Sequence, residues 1–166
     1  VKTFFALILA SILIELSVTN AQVIDSSFFR WTVYELEGDE SEERKCYMIT
    51  NPTNSESDQP YRAQPYIIIT RYQNRRIEEM GVNSGFDYKI NGKVLVTIDD
   101  ARLQLSTNRD MAWASNKNED AAIIQKMLNS AIIKVRADSA IGTFAIDEYS
   151  MKGIAKAYSR MRTICK

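Results

Sequence analysis

The chain has no histidine among its 166 residues. That absence removes the commonest general base, the commonest metal ligand and the usual partner of a nucleophilic Ser or Cys. Only two cysteines occur, Cys46 and Cys165. They form no Cys-x-x-Cys pair, which with the missing histidine argues against a reactive thiol. Net charge is absent as well, with 21 Lys+Arg against 21 Asp+Glu. A balanced chain offers no electrostatic footprint for nucleic acid or an anionic membrane. Proline is scarce, and all three prolines fall within Asn51–Pro65. There are no internal repeats and no low-complexity tail.

One long apolar run is present, at the start. "VKTFFALILASILIELSVTNAQ" places Lys2 ahead of an apolar stretch from Phe4 to Ile14, then small or polar residues ending Thr19-Asn20-Ala21. This is the layout of a secretory signal peptide, and its apolar core is too short to span a bilayer. The expected division is a signal peptide over 1–21 and a single domain over 22–166. Cleavage after Ala21 leaves Gln22 first, where a lipid-anchored protein needs a cysteine. No second apolar run follows, so the mature chain is not expected to span a membrane. Its roughly 145 residues are enough to bury about 68–70% of the unfolded surface. Neither a metal nor a cofactor is needed for a core, and none is expected.

Strand signals dominate from Phe28 to Ser106. "FFRWTVYEL" (Phe28–Leu36) and "KCYMIT" (Lys45–Thr50) flank "EGDESEER", which predicts a hairpin with an acidic tip at Gly38–Glu43. Asn51–Pro65 reads as a long loop. "YIIITRYQ" (Tyr66–Gln73) has the continuous β-branched run of a central strand. Arg76–Tyr88 reads as two short strand pieces around a bend, because Gly81 and Gly85 oppose a helix. Asn91-Gly92 predicts a two-residue hairpin joining "DYKI" to "KVLVTI", and Asp99-Asp100 another turn before "RLQLS".

The period then changes. Asn118 is a candidate N-cap for a helix with Glu119 and Asp120 in its first turn and Ile123, Ile124, Met127 and Leu128 on one face. "SAIIKVRAD" and "SAIGTFAIDEYS" return to strand. The tail from Met151 to Met161 is helical in period, with Met151, Ile154, Ala155, Tyr158 and Met161 as a stripe and Ser150 as the expected cap. In an oxidising compartment two cysteines have a single pairing. A Cys46–Cys165 disulfide would fasten this last helix to the strand carrying Cys46.

Several side chains invite a chemical role. A carboxylate-based hydrolase needs two acids about 5–10 Å apart in a cleft. Asp99, Asp100, Asp147 and Glu148 are the available acids, with Tyr149 alongside. Adjacent acids on a strand point to opposite faces, so Asp147 and Glu148 cannot share a site while the strand continues. Trp31 and Trp113 would serve as stacking faces in a carbohydrate-binding module, but both sit in apolar strand contexts that favour core packing. The expected catalytic set is therefore empty.

Taken in order, "KCYMIT.P" (Lys45 to Pro52), "PYIIIT" (Pro65–Thr70), "GFDY" (Gly85–Tyr88), "VTID" (Val96–Asp99), "AWA" (Ala112–Ala114) and "SAIGTFAIDEYSMKGIAKA" with its late cysteine carry a resemblance. The chain resembles the invasion-associated locus B family of secreted alphaproteobacterial proteins, in a short branch without the central cysteine pair of other members. The resemblance implies an immunoglobulin-like antiparallel β-sandwich with one or two short helices, including a C-terminal one. It also implies export to the periplasm or outer cell surface, and in some intracellular bacteria a link to host-cell entry. It supplies no catalytic residues. The expectation is a mostly β, non-enzymatic envelope or surface protein whose partner is an unknown protein or envelope component, not nucleic acid. The alternative is a periplasmic structural or carbohydrate-binding module. The long loop Asn51–Pro65 and the acidic tip Gly38–Glu43 are the candidate contact surfaces.

Overall fold

The computed structural model describes residues 22–36, 44–75 and 77–166. The stretch 1–21, read as a signal peptide, and Gly38–Glu43, read as an acidic tip, lie outside the described residues.

The expectation of a mostly β protein holds. Among the described residues, eleven strands form one antiparallel sheet in the order β1-β2-β3-β5-β6-β9-β8-β7-β10-β11-β4, with two helices. The strands are β1 (Gln22–Phe28), β2 (Trp31–Leu36), β3 (Lys45–Thr50), β4 (Asn54–Ser57), β5 (Tyr66–Tyr72), β6 (Ile77–Asn83), β7 (Lys93–Ile98), β8 (Ala101–Asn108), β9 (Met111–Trp113), β10 (Ile132–Asp138) and β11 (Phe144–Ser150). Helix α1 covers Lys117–Asn129 and α2 covers Ile154–Ile164.

The topology dictates a folded-over sheet. β3 stands third in the order and β4 last. In a flat sheet, strands about 4.8 Å apart would place them roughly 40 Å from each other. Only Asn51, Pro52 and Thr53 separate the two strands, a link that reaches at most about 14 Å. The far edge must therefore curl back over the near half. The core agrees, since Val33, Met48, Ile67, Met80 and Val82 from the first half join Val94, Leu105, Ile133, Val135 and Ala145 from the second in one buried cluster. Strict alternation of buried and more exposed residues along β5, β7, β10 and β11 points one face of each strand into that core.

Several elements differ from the sequence reading. The Phe28–Leu36 run is broken at Phe29-Arg30, with Phe29 at φ 58°, so β1 precedes it and Cys46 sits on the third strand rather than the second. Asn91 does occupy a left-handed turn (φ 57°), closed by the Gly92 amide donating to the Lys89 carbonyl at 2.8 Å. However, Tyr88 pairs with Ser139 and not with β7, so this turn is a corner rather than a hairpin. The Asp99-Asp100 turn is as expected, since Ile98 faces Ala101 across a two-residue loop.

The cap of α1 is Asn116 rather than Asn118. Its Oδ1 accepts from the amides of Asn118 and Glu119 at 3.0 and 3.1 Å, while Glu119 accepts the Ser115 amide at 3.0 Å. Ile123, Ile124 and Met127 are buried as expected. The last helix begins later than the sequence period implied. Ser150 remains in β11, and the cap position is Gly153 at φ 95°. A Cβ there would lie 2.4 Å from the Phe28 carbonyl oxygen, so only glycine allows α2 to approach β1 this closely. Starting at Ile154 resets the helical phase. Ile154, Ala157 and Met161 form the buried face, and Ala155 is exposed.

Cys46 and Cys165 form a disulfide with Cα atoms 5.8 Å apart, and both are fully buried. It ties β3 to the end of α2, as the cysteine count implied. Beside it, Arg71 donates from Nε to the Cys165 carbonyl at 3.0 Å and pairs with Glu78 at 2.5 Å, and Tyr158 donates to Glu78 at 2.8 Å. Among the described residues, no helix is long and apolar enough to cross a membrane.

Candidate interaction surface

The proposed acids do not converge. Asp99 and Asp100 are exposed at a turn tip. Glu148 lies on the outer face of β11 and pairs with Lys134 at 2.7 Å. Asp147 points inward, as strand alternation requires, and is fully buried. It is consumed by the long loop, because Arg62 forms a bidentate ion pair with it. The same guanidinium donates to Ser55 Oγ at 2.7 Å and to the Ser84 carbonyl at 2.5 Å, and it lies over the Phe86 ring at 5.6 Å. Ser55 also donates to Asp147 at 2.7 Å. Tyr149 is buried beside this cluster, and burial holds its phenol well above the ordinary range. Its hydroxyl has no partner among the described residues. Among those residues, no group of three or more His, Cys, Asp and Glu side chains is placed to hold a metal.

The Arg62–Asp147 pair gives the long loop a built structure. Ser57 donates to the Phe144 carbonyl at 2.8 Å, the Phe144 amide donates to Asp58 at 2.6 Å, and the Ala63 amide donates to the Gly85 carbonyl at 2.9 Å. Across from it the Ala140 amide donates to the Asp87 carbonyl at 2.8 Å. Three segments (58–63, 85–90 and 139–143) are thereby locked together. They enclose a concavity of about 300 Å³ lined by Gln59, Tyr61, Phe86, Asp87, Ser139 and Ile141. On this rigid frame Tyr61 is 89% and Ile141 71% exposed. Large apolar side chains presented on fixed loops are a known arrangement of binding surfaces.

Sequence reasoning missed Asp120, which it read only as a favourable first-turn charge. The carboxylate is buried, and its Oδ1 accepts the Met80 amide at 2.8 Å. β9 covers β6 only from Gly81 to Asn83, so the Asp120 side chain supplies the acceptor just past its end. Burial pushes the Asp120 pKa up, opposed by that hydrogen bond and assisted by the nearby charges of Glu79 and Glu119. The sign follows from linkage. A folded-state pKa above the unfolded value means the native state holds the extra proton between the two, so stability falls as pH rises through that window. Asp120→Asn keeps an acceptor for Met80. The melting temperature of this variant relative to the parent should therefore rise from acidic to neutral pH. A difference independent of pH would show that folding leaves the carboxyl pKa unmoved, and one that falls as pH rises would show that the surroundings stabilise the carboxylate.

Trp31 is fully buried, in keeping with core packing, whereas Trp113 is only half-buried and borders a cavity. No family model, curated protein or solved structure matches the chain.

Proposed function

We propose that this is an exported, non-enzymatic binding protein of the bacterial envelope or surface, a short member of the invasion-associated locus B family built as an immunoglobulin-like sandwich. The observation that carries the binding role is the exposure of Tyr61 and Ile141 on loops held by the buried Arg62–Asp147 pair. The oxidised Cys46–Cys165 pair supports an oxidising compartment. The partner is a protein or envelope component that covers the apolar tip, and in a host-associated bacterium this contact assists entry.

The test begins with the full chain expressed in an alphaproteobacterial host carrying a photo-cross-linking residue at position 61, with position 134 as an exposed control. The expected result is a protein in the periplasmic or surface fraction, starting at Gln22, without titratable thiols, and cross-linked to an envelope or host component from position 61 alone. Retention inside the cell with two free thiols overturns the export reading. Equal cross-linking from both positions overturns the contact surface. Normal host-cell entry by a strain lacking the gene removes the entry role.

A further inference from the structure

A second concavity, of about 390 Å³, opens where β9 leads into α1, with Trp113, Ser115, Asn116, Lys117, Glu79 and Asp120 on its walls. Its volume falls at the small end of ligand sites. Trp113 lies across from Gly81, where a Cβ would meet the indole ring at 2.6 Å. Glycine at this position is what allows the ring to approach the strand and form the apolar wall.

The polar wall is half used. Asp120 is 6% exposed, yet only its Oδ1 is engaged, by the Met80 amide. No donor among the described residues reaches Oδ2, although a carboxylate has about four acceptor positions. Oδ2 is not sealed in the core, and Asp120 borders the cavity, so its spare acceptor positions are reached from that side. Donors stand nearby. Asn116 spends its Oδ1 on the helix cap, which leaves its NH₂ group to give. The Lys117 ammonium has no partner among the described residues. Glu79 accepts from the Tyr72 hydroxyl at 3.0 Å and adds a second carboxylate.

Acceptors and donors around an aromatic ring match a ligand whose groups both give and accept hydrogen bonds and which has an apolar face. A pyranose ring has both properties. Two carboxylates against one ammonium disfavour an anion. We propose that this cavity binds a neutral pyranose saccharide, with Asp120 accepting from a hydroxyl, Asn116 and Lys117 donating, and Trp113 covering a C–H face. Tyr61 and its loop play no part, so the two readings fail separately.

The test titrates the ¹⁵N-labelled full chain with maltose, N,N′-diacetylchitobiose and, as the anionic control, glucuronate. Saturable millimolar shifts are expected with a neutral sugar at the Trp113 indole N–H, the Asn116 side-chain amide and the backbone from 115 to 120. Asp120→Asn retains the Met80 acceptor and should weaken binding about tenfold or more with the amide spectrum otherwise kept. Trp113→Ala should do the same. Lys117→Ala changes only an exposed residue and should weaken binding severalfold, which keeps the test valid if Trp113→Ala unfolds. Absence of saturable shifts with both neutral sugars overturns the proposal, as does undiminished binding by Asp120→Asn. Stronger binding of glucuronate overturns the assignment to a neutral ligand.

Discussion

Cys165→Ser lowers stability by about 3–5 kcal/mol, because the lost bridge closes a loop with a sequence separation of 119. For a chain of this size the melting temperature should drop by roughly 10 °C or more. The loss is uneven. α2 docks on β1, β2 and β3 through Ile154, Ala157 and Met161, so it does not detach outright. Its last turn depends on fewer ties, chiefly Arg71 to the Cys165 carbonyl and the Gln73 side chain to the Lys166 carbonyl. Amide exchange should therefore accelerate most near Ile164 and least at the start of the helix. A melting temperature unchanged in oxidising buffer would mean that apolar docking alone holds the tail.

Arg62→Met has an effect of similar size with a different origin. It leaves the Asp147 carboxylate fully buried without its counter-charge, and breaking a buried pair this way costs about 3–5 kcal/mol. The Ser84 carbonyl loses its donor in the same step. Removing both charges, as Arg62→Met with Asp147→Leu, should recover most of the loss, since well-packed apolar pairs often replace buried ion pairs at no cost. Urea midpoints for the two single variants and the double variant provide the cycle. The Arg62→Met loop should also become open to protease between Asp58 and Ala63. If the double variant is no better than Arg62→Met, the loop is held by its backbone bonds, such as Thr53 to Glu148 at 2.7 Å.

These two fastenings were unequally legible in the sequence. The disulfide followed from counting, since two cysteines allow one partner each. The ion pair did not, because nothing local links Arg62 to a residue 85 positions away. The same contrast runs through the fold. Strands with inward apolar alternation, such as β7 and β10, announce themselves. β4 is Asn-Ser-Glu-Ser, exposed at every position, and exists only because β11 offers it an edge. β9 has three residues, too few for a period. β1 abuts the proposed cleavage point and lacks a continuous apolar face. At Asn91-Gly92 the turn chemistry was right and the partner was wrong, because the backbone at Tyr88 is taken by Ser139. Of the candidate sites, the long loop was visible as a loop, but what makes its tip rigid lies in strands elsewhere. Of the Trp113 cavity only the indole was singled out, as a stacking face set aside in favour of core packing; the cavity itself needs Gly81, Trp113 and Asp120 to meet.

The excursion of the chain through β4 has a kinetic consequence. Thr53, Ser55 and Ser57 find their partners in Glu148, Asp147 and Phe144, at separations of 95, 92 and 87 residues. β3 and β5 can zip together without them, leaving 51–65 as an open bight. Pairings between residues so distant along the chain form slowly and late, because loop closure must come first. The bight closes only when the β10–β11 hairpin exists, and that hairpin belongs to the last fifth of the sequence. Tyr61 therefore takes its displayed position only after β11 is in place, so any contact made through this tip would be open only to chains that have passed that stage.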